Sequence, residues 1–179
     1  MKTTALIRQR GITLIETCMV LAVSTVLATT AVPGMQDLIA ARRLDNAASQ
    51  LANDIHLIRT AAVARNQALR LSFLPRVGGS CYVIHTGSAG QCECNGSAPA
   101  VCHGNAREIK TVSIADTDQV SLTPNVSSVV FDPMHGTSTP TGTLRVIGAG
   151  GREVRHIINV MGRVRSCSPA PVVPGYRAC

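Results

Sequence analysis

Residues 8–33 read RQRGITLIETCMVLAVSTVLATTAVP, and this stretch decides how the chain is organised. The run from Ile12 to Val32 has 21 residues with one acid and no base, close to the ~20 apolar residues of a membrane-spanning helix. Three bases precede it: Lys2, Arg8 and Arg10. This charge pattern predicts a cytoplasmic N-terminus and a remainder beyond the membrane. No clear small-x-small site closes a short apolar core, which disfavours an ordinary cleaved signal peptide.

Glu16 is the residue that does not suit a simple membrane anchor. A carboxylate inside an apolar span costs roughly 2.5–3.5 kcal/mol on insertion scales. No Lys or Arg lies within helical reach on its C-terminal side. A free α-amine, made by a cut immediately before Ile12, would supply the missing partner.

The segment Arg10-Gly11-Ile12-Thr13-Leu14-Ile15-Glu16 resembles the class III leader junction of type IV pilins and pseudopilins. The resemblance implies that a prepilin peptidase cuts after Gly11 and methylates the new N-terminus at Ile12. It also implies that Glu16 pairs with a neighbouring subunit's amine during assembly. Ile12 stands where the family usually has Phe, and Pro33 where many pilins kink their helix. A signal anchor with a chance Glu is the alternative.

This resemblance implies a leader at 1–11, a transmembrane and assembly helix at 12–35, and a periplasmic globular domain at 36–179. The domain is expected to contain a helix, a β-rich part and a disulfide-closed tail, at 36–66, 67–167 and 167–179. The implied partners are other major or minor pilins or pseudopilins, prepilin peptidase and an inner-membrane assembly platform. The protein would cross the inner membrane once and then enter a pilus at the cell surface.

The segment from Gln36 to Asn66 contains no Gly or Pro. Its apolar residues alternate at spacings of four and three, which predicts an amphipathic helix with one apolar stripe: Leu44, Ala48, Leu51, Ile55, Ile58 and Ala62. A coiled-coil seam is the alternative, but the repeat is short and rich in Ala. The stripe is therefore expected to pack on a sheet.

After Arg70 the pattern changes to short β-branched or alternating segments bounded by Gly, Pro, Asn or Asp. The predicted strands are 69–74, 81–85, 110–114, 120–122, 128–131, 143–147 and 152–161. The last strand would place Val154, His156, Ile158 and Val160 on one face. Residues 86–106 are expected to form a stapled surface loop. The predicted fold class is α+β and pilin-like: a long N-terminal helix, half membrane-spanning and half amphipathic, packed on an antiparallel sheet domain.

The domain also resembles the GspH/FimT branch of minor pilins. The residues that carry this likeness are Val130-Phe131-Asp132-Pro133, Gly136, Gly142-Thr143-Leu144 and Met161-Gly162-Arg163-Val164-Arg165. The Gly-Arg-Val-Arg ending resembles the C-terminal motif of FimT-type minor pilins involved in DNA uptake. Secretion pseudopilins carry similar endings, so a type II secretion pseudopilin and a purely structural minor pilin that primes assembly stay open as alternatives.

Positive charge is concentrated in the C-terminal part of the chain, which contains the Gly-Arg-Val-Arg motif. The chain has a net charge of +7, of which residues 142–179 contribute six arginines and one acid, Glu153. Arginine forks grip phosphates bidentately. With no Trp, two Tyr and two Phe, a binder that stacks bases on aromatic platforms is disfavoured. Together with the FimT resemblance, this charge implies double-stranded DNA as the partner, bound through its phosphates without sequence preference. On charge alone, a solvated face that keeps the protein soluble is the alternative.

Arg163 and Arg165 would share one face of a strand about 6–7 Å apart, and Gly162 would let the backbone approach the duplex. Arg152 and Arg155 would widen the footprint, and Arg177 would join if the tail were tied back. The alternative is that Arg163 and Arg165 pair with acids of the domain.

Seven cysteines indicate an oxidising compartment. Cys18 lies in the membrane helix and is expected to be free. Cys167 and Cys179 are the favoured disulfide pair, and the other four would pair among themselves: Cys81, Cys92, Cys94 and Cys102. A zinc site at Cys92, Cys94, Cys102 and His103 is the alternative, although its C-x-C spacing is not the usual C-x₂-C.

The sequence offers no catalytic constellation. Asp132 and His135 are close together, but no nucleophile elbow, metal triad or phosphate loop accompanies them. The chain is expected not to be an enzyme and to need no cofactor.

Overall fold

The computed structural model describes residues 13–95 and 99–179. The chain divides into two units, one ending at Leu38 and the other spanning Ile39–Cys179. Helix α1 (Leu14–Ala64) contributes residues to both. The expected leader and cleavage site, Gly11 and Ile12, lie outside the described residues.

The first unit presents its apolar side chains to the surroundings, since Leu14, Val20, Leu27 and Met35 are all exposed. Among the described residues, α1 is the helix that is long and apolar enough to cross a membrane. An apolar helix surface of this kind is stable in lipid or against other helices.

The second unit buries one stripe of α1, and this confirms the amphipathic helix. The six stripe residues, Leu44, Ala48, Leu51, Ile55, Ile58 and Ala62, are at most 1% exposed. The helix ends after Ala64, where Asn66 adopts a left-handed conformation and Gln67 donates its backbone N–H to Ala62 O at 3.1 Å. This is the usual way in which an Asn closes a helix.

Eleven strands lie in the described residues: β1 (Leu69–Arg76), β2 (Gly79–His85), β3 (Cys92–Glu93), β4 (Val101–Cys102), β5 (Glu108–Ala115), β6 (Ser121–Pro124), β7 (Ser128–Phe131), β8 (Ser138–Thr139), β9 (Gly142–Ile147), β10 (Glu153–Ile158) and β11 (Val164–Cys167). They form a five-stranded sheet in the order β5-β2-β1-β7-β8, a four-stranded sheet in the order β11-β10-β9-β6, and the β3-β4 pair. All pairings between these strands are antiparallel.

Both larger sheets contribute to the core that covers the stripe of α1. Leu71, Ile84 and Phe131 come from the five-stranded sheet, and Leu144 and Val154 from the four-stranded sheet. Because side chains alternate along a strand, the neighbours of these residues lie on the opposite faces of the sheets, where Val83 and His85 are buried as well and Arg145 is exposed. The predicted α+β architecture, a long helix packed on antiparallel sheets, is confirmed.

The last predicted strand differs from the structure. Instead of running to Met161, β10 ends at Ile158, and residues 159–163 turn the chain into β11. Val160 is 57% exposed and does not share the buried face of Val154, His156 and Ile158. An alternating apolar pattern cannot mark this end, because Val160 continues the alternation into the turn.

Residues 86–106 are more than a surface loop. Their β3-β4 hairpin lies beside the five-stranded sheet, where Cys92, Ala100 and Ala106 pack with Val83 in a second buried cluster. Two disulfides hold it: Cys81–Cys94 and Cys92–Cys102. The zinc alternative is wrong in this structure, because the sulfurs of Cys92, Cys94 and Cys102 are all used in disulfides.

Buried His156 predicts acid sensitivity of the second unit. Its Nδ1 lies 2.8 Å from Ser166 Oγ, and burial lowers its pKa from 6.5 to about 4. As the pH falls below 6.5 the unfolded chain takes up the proton first, so stability should be lost between about pH 6.5 and 4. The loss from this group approaches ~3 kcal/mol at the lower end.

We expect denaturant unfolding at pH 7, 5 and 4 to show this loss in the native protein and a smaller loss in His156→Gln. The matched control is His56→Gln, since His56 is exposed on α1, and it should follow the native protein. An equal acid loss in His156→Gln and the native protein would contradict the assignment.

Candidate functional site

The turn between β10 and β11 is fixed by its own hydrogen bonds. Asn159 donates its backbone N–H to Arg163 O at 3.1 Å, and its side-chain Oδ1 accepts from Arg163 N at 2.9 Å. Gly162 donates to Asn159 O at 2.9 Å and has a φ of +68°. Arg163 therefore leaves the turn in a defined direction.

Gly162 faces the protein interior, which corrects the expectation that it opens the backbone to a ligand. A Cβ at Gly162 would overlap the carbonyl oxygen of Gly136 and would lie 3.1 Å from Arg59 Cδ. The glycine is needed because α1 and the loop after β7 pack directly on its backbone.

Arg59 is a positioning residue that the sequence alone did not reveal. Its Nε donates to Gly136 O at 3.1 Å, and its side chain lies against both Gly136 and Gly162. Ser138 adds two bonds to the same turn, from its N to Val160 O at 2.9 Å and from its Oγ to Asn159 O at 2.6 Å. The signal available in the sequence was the place of Arg59 beside Ile58, at the margin of the buried stripe.

Arg163 and Arg165 are exposed on either side of Val164, which packs against the core. The structure shows no acidic partner for either side chain within residues 13–95 and 99–179. The interpretation that these arginines pair with acids of the domain is therefore wrong for the described residues. Two cations two residues apart on extended chain stand about 6.7 Å apart.

Arg155 stands in a different electrostatic setting. Its Nε lies 2.6 Å from Glu153 Oε1, and Arg145 holds the same carboxylate through Nε at 2.8 Å and a second nitrogen at 2.9 Å. Bonds from the two arginines lower the pKa of Glu153 to about 2. The charge of Arg155 is therefore partly neutralised by Glu153. Arg152, just before β10, is partly buried.

The C-terminal tail is closed by a disulfide between Cys167 and Cys179, the pair favoured from the sequence. Val173 is buried in the core, and the hydroxyl of Tyr176 donates to Asp45 Oδ1 at 3.1 Å. Burial and this bond raise the pKa of Tyr176 to about 12. Ser168 N donates to Arg177 O at 2.8 Å, so exposed Arg177 lies next to the end of β11.

Three other residues singled out in the sequence are Asp132, Glu16 and Cys18. Asp132 Oδ1 accepts from the backbone N–H groups of Met134 and His135 at 2.9 and 3.0 Å, and so closes a turn. Glu16 lies in the first turn of α1, where its N–H donates to Thr13 Oγ1 at 3.4 Å. Thr13 is therefore the N-cap, and an acid at Glu16 suits the positive end of the helix. Cys18 is free and exposed.

The chain matches a known protein family, and its fold is similar to those of solved structures. The family model described as "Type II transport protein GspH" matches residues 47–162. The structure is similar to the type IV minor pilin FimU of Pseudomonas aeruginosa strain PAO1, with 16% identity, a TM-score of 0.55, and coverage of 72% of this chain and 94% of FimU. It is also similar to the minor pseudopilin EpsH from the Type 2 Secretion System of Vibrio cholerae, with 12% identity, a TM-score of 0.50, and coverage of 72% and 98%. A comparison with curated proteins gives no significant match.

We expect Gly162→Ala to destabilise the second unit by more than its backbone conformation alone requires. The matched control is Gly150→Ala, because Gly150 has a similar φ of +70° but open space around it. Both variants carry a left-handed cost of about 1–2 kcal/mol, and the contact with Gly136 should add about 1–3 kcal/mol to Gly162→Ala alone. Equal free energies of unfolding for the two variants, measured with denaturant, would show that crowding against Gly136 contributes nothing.

Proposed function

The chain belongs to the family of the type II transport protein GspH, whose model matches more than half of it, and we propose that it is a minor type IV pilin that binds extracellular duplex DNA for natural transformation. In this proposal it has a structural and binding role, first as an inner-membrane protein and then as a pilus subunit. Its partners are other pilins, prepilin peptidase, the assembly platform and DNA.

The observation that carries the DNA proposal is the pair of free cations after the 159–163 turn. Arg163 and Arg165 are exposed and lack an acidic partner among the described residues. A guanidinium that is not neutralised keeps its full attraction for phosphate. Because the turn is held by Arg59, Gly136 and Ser138, the backbone that carries the two side chains is ordered before binding, and binding has to fix only their rotamers.

Arg177 supports the same surface, since the closed tail brings it next to the end of β11. Contacts of this kind reach the phosphate backbone, which is the same in every sequence. We therefore propose binding without sequence preference.

The assembly part of the proposal depends on the first unit. Its exposed apolar side chains need a lipid or helical partner, and Glu16 lies where a neighbouring subunit's amine would reach the first helical turn. The fold is shared with a pilin and with a secretion pseudopilin, so a pseudopilin role is the competing proposal. The free arginine pair favours the DNA-binding pilin.

We predict that the mature protein begins at Ile12 and that Glu16→Ala enters the membrane normally but is depleted from fibres. The reason is that the carboxylate has no charged partner within its own helix and needs one supplied by assembly. Mass spectrometry of the mature N-terminus and quantification of sheared fibres provide the two measurements. An intact leader would refute the processing step, and normal incorporation of Glu16→Ala would refute the charge pairing.

We predict that Arg163→Gln/Arg165→Gln lowers the affinity of the detergent-solubilised protein for a mixed-sequence DNA duplex. Affinity falls with salt, and the magnitude of the slope of log affinity against log salt should decrease by about 0.9 for each phosphate that an arginine no longer neutralises. The double variant should therefore show a slope smaller by about 1.8. Fluorescence anisotropy at several salt concentrations measures both the affinity and the slope.

The matched control is Arg76→Gln/Arg107→Gln, which removes the same charge from the region of the five-stranded sheet. It should retain most of the affinity. If both double variants lose the same affinity relative to the native protein, the loss is caused by the change in net charge and not by a site at Arg163 and Arg165. If Arg163→Gln/Arg165→Gln binds like the native protein, the DNA assignment is wrong.

A further inference from the structure

We propose that the outer face of the four-stranded sheet is a single phosphate-binding surface, on which Arg145 and Arg155 join Arg163 and Arg165, and that Glu153 sets its strength. This inference rests on the proposed function and adds two elements to it: Arg145, which joins Arg155 as a second pair of cations, and Glu153, an acid that weakens that pair.

The register of the sheet brings these residues to one face. Val154, His156 and Ile158 are buried, so the alternate residues of β10, Glu153, Arg155 and Ile157, point away from the core. Arg155 pairs with Arg145 of β9, and Ile157 pairs with Arg165 of β11.

The spacing suits a nucleic-acid backbone. Arg145, Arg155 and Arg165 occupy three successive strands, which span about 10 Å from first to last. A duplex carries one phosphate charge per about 1.7 Å of axis, hence about six charges over that distance. These charges are spread over both backbones around the duplex, so the phosphates on its near side face the sheet when a duplex crosses it.

Glu153 lies beneath the two added cations. Its side chain is 10% exposed, whereas those of Arg145 and Arg155 are 44% and 38% exposed. The anion is covered and the cations are open to solvent, so an incoming phosphate meets the arginines first. The cluster of the three groups keeps a net charge of +1.

The two arginines still have donors to offer. Their bonds to Glu153 use two N–H groups of Arg145 and one of Arg155, out of the five that each guanidinium carries. Glu153 therefore competes with phosphate by charge more than by occupying donors. Arg163 and Arg165 bind without this competition, so the surface has a strong pair and a weakened pair.

The test begins with Glu153→Gln, which removes the charge and keeps an acceptor oxygen. We expect the detergent-solubilised protein to bind a mixed-sequence DNA duplex roughly three- to tenfold more tightly at low salt, since one unscreened anion near the phosphates is removed. Adding Arg145→Gln and Arg155→Gln to Glu153→Gln should abolish the gain and lower the salt slope by about 1.8. The matched control is Glu93→Gln, the same charge change at an exposed residue of β3.

Thr123→Lys is a second, independent variant, because it leaves the Glu153 cluster untouched. Thr123 is exposed on β6 directly opposite Arg145, so a lysine there adds a cation to the same face. It should tighten binding and steepen the salt slope by about 0.9. Circular dichroism and thermal melting establish that each variant is folded.

The outcomes separate this inference from the function on which it rests. If Arg163→Gln/Arg165→Gln loses DNA binding while Glu153→Gln gains no more than Glu93→Gln, the attenuating role of Glu153 is wrong. If Thr123→Lys also binds like the native protein, the proposal that Arg145 and Arg155 belong to the surface is wrong, and the site is limited to Arg163 and Arg165. If Arg163→Gln/Arg165→Gln keeps its affinity, the proposed function itself fails.

Discussion

The buried stripe of α1 is the constraint on which the second unit depends. Six residues, from Leu44 to Ala62, are nearly inaccessible to solvent, and both larger sheets contribute to the core around them. Burying an aliphatic side chain contributes about 1.5–3 kcal/mol relative to leaving it exposed. Since the two sheets share this one helix, a shift of α1 would disturb the inner face of each.

The same constraint determines the charge of the outer face. Side chains alternate along a strand, so once Val154 and Ile158 are committed to the core, Glu153 and Arg155 must point outward. On β11, Val164 is the inward residue, which leaves Arg163 and Arg165 to solvent. The basic surface is thus a consequence of the apolar pattern and needs no separate positioning device except at the turn.

The turn shows where sequence reasoning reaches its end. The helical stripe and the approximate places of β1, β2, β5, β7 and β9 follow from local periodicity, which acts over a few residues. The end of β10 and the need for Gly162 do not, because they depend on Arg59 and Gly136, which are distant along the chain. The motif Gly162-Arg163-Val164-Arg165 can be recognised from the sequence. The expectation that Gly162 opens the backbone to a ligand is wrong, because the contact that requires this glycine is a tertiary one with Gly136.

Disulfides stand where strand pairing is too short to hold the chain. The β3-β4 pair has two residues in each strand, and the tail after β11 has one isolated bridge, between Ser168 and Ala178. Closing a loop of this size restricts the unfolded chain by an amount worth roughly 3 kcal/mol in the entropy model. In the tail, this closure keeps Val173 in the core and Tyr176 on Asp45, so the restraint reaches α1 itself. The position of Arg177 therefore depends on the core that also positions Arg163 and Arg165. For all three cations, this core is the packing of the sheets and the tail on α1.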